Sequence, residues 1–330
     1  MPLSKKENAK RAIHFQKPDY IPLMYYNMNQ IHRTDVVQAA VQTMFGGENG
    51  RTSEWGFVWK EHDTPFALGQ IETPALPDWD MLESYRPLDV HSRKRFEAAH
   101  NLMSAYPDKY FIADFVLSGF TAMSFVRGFE DFMADMYLER EKVERLADIV
   151  CGAESELIRA CAQAGFDAIG LADDLGSQQS LLFSAELFRE IFKPRLAAQI
   201  ALAHSLGLDV CMHSCGYIMD IIPDLIEIGL DILNPGQPDL NGVRAMGERF
   251  RGQICFACPV GYQTTGITGS PDEIDAEVKS YVDELSLRDG GLIGYVASAL
   301  KDLGSTDERQ TAVWDAWHKH CGVNNPYGED

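Results

Sequence analysis

The sequence predicts a single (β/α)8 barrel of the TIM type, an α/β fold, preceded by an N-terminal helix. Short apolar runs alternate with helical patterns about eight times along the chain, as in such a barrel. No linker or low-complexity stretch divides the 330 residues. The later apolar runs are continuous rather than alternating, as expected for parallel strands covered by helices. Residues 1–330 therefore read as one domain.

A doubly wound open sheet is the alternative arrangement of such units. No G-x-G-x-x-G segment follows the first predicted strand, and no G-x-x-x-x-G-K-[ST] segment occurs. Dinucleotide and P-loop sites therefore lose support, and the barrel is favoured.

The first third of the chain has the less regular pattern. Residues 4–7, Ser-Lys-Lys-Glu, predict a helix start, because the hydroxyl and the carboxylate accept free backbone N–H groups there. Residues 18–22 turn the chain into a first strand at 23–26, and residues 34–44 are predicted as a helix. The next segments are predicted as strand and hairpin (54–74), loop (75–90) and helix (92–106).

From residue 110 onward, strands and helices are predicted in regular alternation. Pro194 should kink or break the helix that Ser184 begins, and residues 270–273 form a second capping box. The predicted strands are 110–116, 166–172, 208–213, 230–233, 253–258 and 292–297. The predicted helices are 130–165 (two helices meeting near Leu138), 184 onward, 218–228, 243–250, 270–285 and 307–318.

Composition and charge exclude several classes of protein. With 29 Lys+Arg against 49 Asp+Glu, the formal net charge is −20. Such an acidic chain is not expected to bind nucleic acid or an anionic membrane. The first residues lack the apolar run of a secretory signal, and no stretch approaches the ~18 apolar residues of a membrane span. Seven cysteines, an odd number, indicate reduced thiols in a cytoplasm.

Several predicted strands end in residues that carry chemistry, at the end of a barrel where active sites lie. The fourth strand is followed by Asp173 and Asp174, and the fifth ends in His213-Ser-Cys215. The sixth ends in Asn234-Pro-Gly-Gln237 and the seventh in Cys258. Tyr25 and Asn27 lie at the end of the first strand.

His213 and Cys215 suggest a metal site. Side chains two residues apart leave an extended strand on the same face. Zinc accepts imidazole nitrogen and thiolate sulfur, and a catalytic zinc has three protein ligands and an open position. Cys258 is the nearest candidate for the third ligand, while Cys211 lies deeper in the strand. The alternative is that His213 holds a loop and Cys215 packs as a small apolar residue.

The other strand-end residues are predicted to contact substrate. Asp173 or Asp174 would act as a general base, metal ligand or substrate anchor, although one of them usually caps the next turn. Asn234 and Gln237 would position the substrate or a loop. Tyr25 and Asn27 would reach the cavity, although aromatic packing is the alternative for a tyrosine at this place.

Residues 172–263 resemble the uroporphyrinogen decarboxylase superfamily, whose fold is a single (β/α)8 barrel. The matching segments are ADDLGSQQSLLFS, LFREIFKPRL, MHSCGYIMDIIPDLIEIGLDILNPGQP, CPVGYQTT and, further on, SPDEIDAEV. The opening segment, SKKENAKRAIHFQKPDYIP, resembles the methyltransferase-like members. The superfamily contains cofactor-free decarboxylases and zinc methyltransferases that move a methyl group between a corrinoid protein and a thiol.

Two departures from the superfamily bear on the activity. Porphyrinogen decarboxylases have an Arg-Gln-Ala-Gly-Arg segment after the first strand, whereas residues 24–30 here contain no arginine. A porphyrin with many carboxylates is therefore a poor substrate. The zinc methyltransferases add a distant cysteine to the His-x-Cys pair, but the corresponding place near Ser298 has none. Cys258 or a carboxylate would then replace that ligand.

The resemblance implies a methyltransferase in a demethylation system, with zinc at His213 and Cys215 and a small-molecule substrate. The corrinoid would come on a partner protein or as free cobalamin, because the chain lacks the Asp-x-His-x-x-Gly corrinoid motif. A metal-free decarboxylase or lyase acting on a small acid is the alternative, with Asp173, Asp174 or Glu54 stabilising charge. A non-catalytic binding barrel is the third reading. A homodimer is the default oligomer.

Overall fold

The fold is a closed α/β barrel with an N-terminal helix, as predicted. The computed structural model describes residues 3–25, 28–48, 50–61, 70–87, 89–90, 92–297 and 303–322. Eight parallel strands within these ranges close into a barrel, and helices connect successive strands on its outside. None of the helices in these ranges has the length and apolar character needed to cross a membrane.

The described residues form ten strands. In chain order they are β1 (Leu23–Tyr25), β2 (Val36–Ala40), β3 (Val58–Trp59), β4 (Ile71–Thr73), β5 (Tyr110–Phe115), β6 (Ala168–Ala172), β7 (Asp209–Ser214), β8 (Ile232–Pro235), β9 (Cys255–Pro259) and β10 (Leu292–Val296). Strands β3 and β4 pair antiparallel as the expected hairpin. The other eight follow one another around the barrel, and β10 closes on β1.

Helices fill the connections. They are α1 (Lys5–Ile13), α2 (Glu97–Ala105), α3 (Gly119–Arg127), α4 (Phe129–Leu138), α5 (Arg140–Ala164), α6 (Ala185–Leu187), α7 (Lys193–Ser205), α8 (Ile222–Glu227), α9 (Pro238–Asn241), α10 (Val243–Phe250), α11 (Thr265–Thr268), α12 (Pro271–Leu285) and α13 (Asp307–His320). The predicted boundary at Leu138 is confirmed. A π-helical turn precedes α7, and Pro194 lies in the first turn of that helix.

The predicted helix caps are present. The side chain of Ser4 accepts a hydrogen bond from the backbone N–H of Glu7, and Ser184 does the same for Leu187. Ser270 and Glu273 form the full reciprocal capping box. Each cap satisfies N–H groups that the first turn of a helix leaves without partners.

The predicted helix over residues 34–44 is wrong, because this segment contains strand β2. Val36–Ala40 pairs with β1 on one side and β5 on the other, and Val36 is fully buried. β-Branched side chains suit such a buried, pleated position. Val36 pairs with Tyr110 of β5, 74 residues further along the chain, and the local pattern cannot show that contact.

The register of the strands decides which side chains face the barrel interior. Paired residues of neighbouring strands point to the same side, and successive residues point to opposite sides. His213 is paired with Ala172 and Asn234. Cys258 is paired with Gly294, where an added Cβ would lie 2.6 Å from Trp317 of the outer helix α13. Cys258 therefore faces the helices, and the His213 row faces the interior.

Candidate functional site

Three potential metal ligands converge where β6 and β7 end. Nε2 of His213 lies 3.4 Å from Sγ of Cys215 and 3.6 Å from Oδ1 of Asp174. One ligand atom of each residue lies within 4.8 Å of the other two. Oδ1 of Asp174 also accepts the backbone N–H of Cys215 at 2.8 Å, which ties the loop after β6 to that after β7.

Asn234 orients the imidazole of His213. Nδ1 of His213 lies 2.7 Å from Oδ1 of Asn234, and Nδ2 of Asn234 donates to the carbonyl of Ala257. Because Oδ1 of an amide only accepts, we assign the ring proton to Nδ1. Nε2 is then the atom aimed at Cys215 and Asp174. Histidine ligands of metals are usually held in this way by a partner on the other ring nitrogen.

The groups around His213 favour a protonated, positively charged imidazole ring. Burial by itself lowers the pKa of this imidazole, but Cys215, Asp174 and Asn234 outweigh burial and raise the pKa to about 10. Asp174 has half of its side chain exposed and His213 about a quarter, so the cluster remains open to a ligand. A proton or a metal cation would each satisfy this arrangement.

Close backbone contacts hold the cluster in place. An added Cβ on Gly236 would lie 2.9 Å from both Sγ of Cys215 and Cε1 of His213, so a larger residue cannot fit there. Oε1 of Gln237 accepts the N–H of Gly216 at 2.6 Å. Gln237 is buried in this contact. Gln237 therefore holds the loop after β7, which is one of the two roles expected for it from the sequence.

Asp173 is a second correction, because its side chain points away from the cluster. Its carboxylate accepts the N–H groups of Phe120 and Thr121 and the hydroxyl of Thr121, at 2.8 to 3.1 Å. It thus caps the start of α3. Burial raises the pKa of Asp173 to about 7 against the effect of these hydrogen bonds. Gly119 has φ +53°, and an added Cβ there would overlap the carboxylate at 2.2 Å.

Cys258 and Tyr25 also face the helices, contrary to the sequence analysis. Cys258 is fully buried, and burial together with Glu277 of α12 raises the pKa of its thiol. The ring of Tyr25 packs 5.4 Å from that of Trp314 on α13. Strand alternation explains both orientations, since each residue lies one position away from a residue that faces the barrel interior. Among the described residues, the third potential ligand atom beside His213 and Cys215 is therefore a carboxylate oxygen of Asp174, the alternative that the sequence left open.

Two other expected positions lie outside the described residues. Asn27, expected to bind substrate, is one of them. Ser298, near the place of the family's distant cysteine, is the other. Glu54, which belonged to the decarboxylase reading, forms two hydrogen bonds of 2.8 and 2.9 Å with Arg95. Its charge is therefore already neutralised.

Tyr262, a neighbour of Cys215, and its hydrogen-bond partner Tyr295 escaped the sequence analysis. Burial, and then Cys215, raise the pKa of Tyr262, while a hydrogen bond with Tyr295 lowers it in part. Tyr295 lies on β10, in register with Pro259 and Met24. The CPVGYQTT segment contains Tyr262, but no local pattern marks it as a neighbour of Cys215.

Comparison with known proteins agrees with the fold. A methyltransferase from Methanosarcina mazei superposes with a TM-score of 0.72 at 16% identity, over 95% of this chain and 98% of that protein. A xylose isomerase domain protein from Planctomyces limnophilus gives a TM-score of 0.49 at 12% identity, over 91% and 98%. At 16% identity the likeness to the methyltransferase concerns the fold alone. No curated protein matches with significance.

The family comparison is more specific. The family model described as uroporphyrinogen decarboxylase (URO-D) matches residues 67–298. The match includes Asp174, His213 and Cys215, the three residues that converge at the carboxyl end of the barrel. Since it spans well over half of the chain, this protein belongs to the uroporphyrinogen decarboxylase family.

Proposed function

We propose that this protein is a methyltransferase that moves a methyl group between a small methylated substrate or thiol and a corrinoid, as part of a demethylation system. One observation carries the proposal. Nε2 of His213, Sγ of Cys215 and Oδ1 of Asp174 meet at the end of the barrel where such folds have their active sites. A decarboxylase of the same family that works without a metal has no need of a thiol in this group.

The three donors fit zinc. Imidazole nitrogen, thiolate sulfur and carboxylate oxygen are its usual ligands, and three protein ligands leave a position for substrate. His213, Cys215 and Asp174 would hold the ion, and Asn234 would fix the ring of His213. When bound, zinc lowers the pKa of a thiol or hydroxyl and so supplies a nucleophile or stabilises a leaving group.

The chain's own residues would bind and orient the substrate. Tyr262, next to Cys215, keeps its proton at neutral pH, because burial raises the pKa of its hydroxyl above the ordinary value. In the proposal the hydroxyl of Tyr262 donates a hydrogen bond to the substrate heteroatom that carries or receives the methyl group. The half-exposed side chain of Asp174 leaves the cluster open at the rim, so that the substrate can reach the open position and release its proton to solvent.

The corrinoid is proposed to come from outside the chain, on a partner protein or as free cobalamin. The absence of a corrinoid motif in the sequence supports this assignment. The lack of arginine in residues 24–30 supports a small, weakly charged substrate rather than a polycarboxylate.

Metal analysis and methyl transfer test the proposal together. Purified wild-type protein should contain zinc at this site and transfer methyl groups from methylated phenols, amines or thiols to cob(I)alamin. Cys215→Ser and His213→Ala should lose both properties. Cys258→Ser is the matched control, because this thiol faces the helices and should leave both unchanged in a protein that still folds.

A metal-free decarboxylase acting on a small acid is the second candidate. The raised pKa of His213, about 10, favours it, since an imidazolium at the barrel mouth can protonate the carbanion that loss of CO2 leaves. Decarboxylation that survives both chelation and Cys215→Ser would support this candidate and overturn the methyltransferase.

A further inference from the structure

We propose a second metal site, for a zinc-type divalent cation, at the opposite end of the barrel. It consists of His14, Asp209 and Asp231. Nε2 of His14 lies 3.1 Å from Oδ1 of Asp209, and one ligand atom of each residue lies within 4.8 Å of the other two. His14 follows α1, Asp209 begins β7 and Asp231 precedes β8. The barrel thus brings together three residues that are far apart in the sequence.

Hydrogen bonds from outside the cluster hold one oxygen of each carboxylate and leave the other without a partner outside it in the part of the chain that the structure describes. The hydroxyl of Tyr110 donates to Oδ2 of Asp209, which leaves Oδ1 toward His14. Oδ2 of Asp231 accepts the N–H of Val210 and contacts Nε2 of His204, both at 2.8 Å. Among the described residues, no hydrogen bond reaches Oδ1 of Asp231. Carboxylate ligands of metals are typically oriented by such partners.

The negative charge at this end is only partly neutralised. Lys6 and Lys10 lie nearby on α1, but both pair with Asp167, at 2.8 and 3.5 Å. Asp209 and Asp231 therefore have only the imidazoles of His14 and His204 as basic partners among the described residues. A divalent cation between the two carboxylates would compensate both charges at once.

The donor types favour zinc over calcium or magnesium. Imidazole is a good ligand for zinc, whereas hard cations select oxygen alone. Two ligands at the usual zinc distances in a tetrahedron lie about 3.3 Å apart, close to the 3.1 Å between His14 and Asp209. The cation would link the end of α1 to the amino end of the barrel. Residues at this end of a TIM barrel serve stability, whereas those at the carboxyl end serve catalysis.

Zinc binding to the His213→Ala/Cys215→Ser variant tests the inference, since this variant lacks the mouth site. It should bind one equivalent of Zn²⁺ in equilibrium dialysis, and its Tm should rise with Zn²⁺. Adding His14→Ala should abolish both effects. Lys10→Ala in the same background is the matched control, because it removes another α1 contact yet should keep the zinc response.

Two outcomes would overturn the second site. One is the absence of stoichiometric zinc binding in the His213→Ala/Cys215→Ser variant. The other is zinc binding that stays unchanged after His14→Ala. The same holds for His14→Gln, whose side chain is closer in size to that of histidine. Neither outcome touches the proposed methyltransferase, which rests on the mouth site alone.

Discussion

The two ends of the barrel use the same kinds of side chain in different ways. At the carboxyl end, a thiol and the half-exposed Asp174 converge on one imidazole, and among the described residues Asp174 has no lysine or arginine partner. At the amino end, Asp167 is paired with two lysines of α1, while Asp209 and Asp231 nearby have imidazoles as their basic partners among the described residues. Paired charges attach a helix to the barrel. Donors that converge without a permanent cation leave a place for a ligand.

Cys215→Ser should give the largest effect and tests the comparison most directly. We expect methyl transfer to fall by more than about 100-fold, the upper range for loss of a supporting residue around a metal. The Tm should change little, because Cys215 lies at the open end. Activity and thermal unfolding of the same preparation check this. A large fall in Tm with unchanged specific activity would mean that the mouth, too, serves stability.

Asn234→Ala should come next. Without the acceptor for Nδ1, His213 loses its fixed tautomer and orientation. Zinc affinity or activity should fall about 10- to 100-fold. Competition with a chelator measures the affinity. Asn234→Asp, which keeps the acceptor, should retain most of it; equal losses in both variants would contradict the role in orientation.

Glu154→Gln examines a buried carboxyl group on α5, near Asp173 and the start of α3. Glu154 is fully buried and accepts the N–H of Gly119 and the amide of Gln199. Burial raises the pKa of its carboxyl from 4.5 to about 7 despite these bonds. The folded state then keeps a proton that the unfolded chain has released, so the free energy of unfolding falls as pH rises between these values.

The shift of Glu154 corresponds to about 3 kcal/mol at most. Glu154→Gln should reduce the loss of stability between pH 5 and pH 8 in urea unfolding, and Asp173 and His213, whose pKa values are also raised, should contribute to the remaining slope. Glu156→Gln is the matched control on the same helix, since that side chain is exposed. An unchanged slope in Glu154→Gln would contradict the raised pKa.

Asp173→Ala and Asp174→Ala separate two adjacent carboxylates. Loss of the cap at α3 should cost about 1–2 kcal/mol of unfolding free energy, whereas Asp174→Ala should leave stability nearly unchanged and reduce zinc binding. Urea unfolding and metal analysis of both variants measure this. The reverse result would place Asp173 in the site.

Lys10→Ala should have the smallest effect. Its ion pair with Asp167 is 3.5 Å long and the lysine is 44% exposed, so the loss should be below about 1 kcal/mol. Methyl transfer should not change. A fall in activity with intact zinc binding would show that the two ends of the barrel are coupled.

The sequence by itself determined the barrel, most of its helices and the pair of His213 and Cys215. These features depend on residues that are close together in the chain. They are continuous apolar runs, capping residues at helix starts, and two side chains on the same face of one strand. The strand β2 was missed because its pairing partners are distant in the chain.

Only the tertiary structure decided which residues join that pair. Asp173 and Asp174 look alike in the sequence, yet one caps α3 and the other meets Cys215. Cys258 was a reasonable third ligand until the register turned it toward α12. Which face a side chain takes depends on the pairing of strands and on the helix packed against them, and a shift of one residue reverses it.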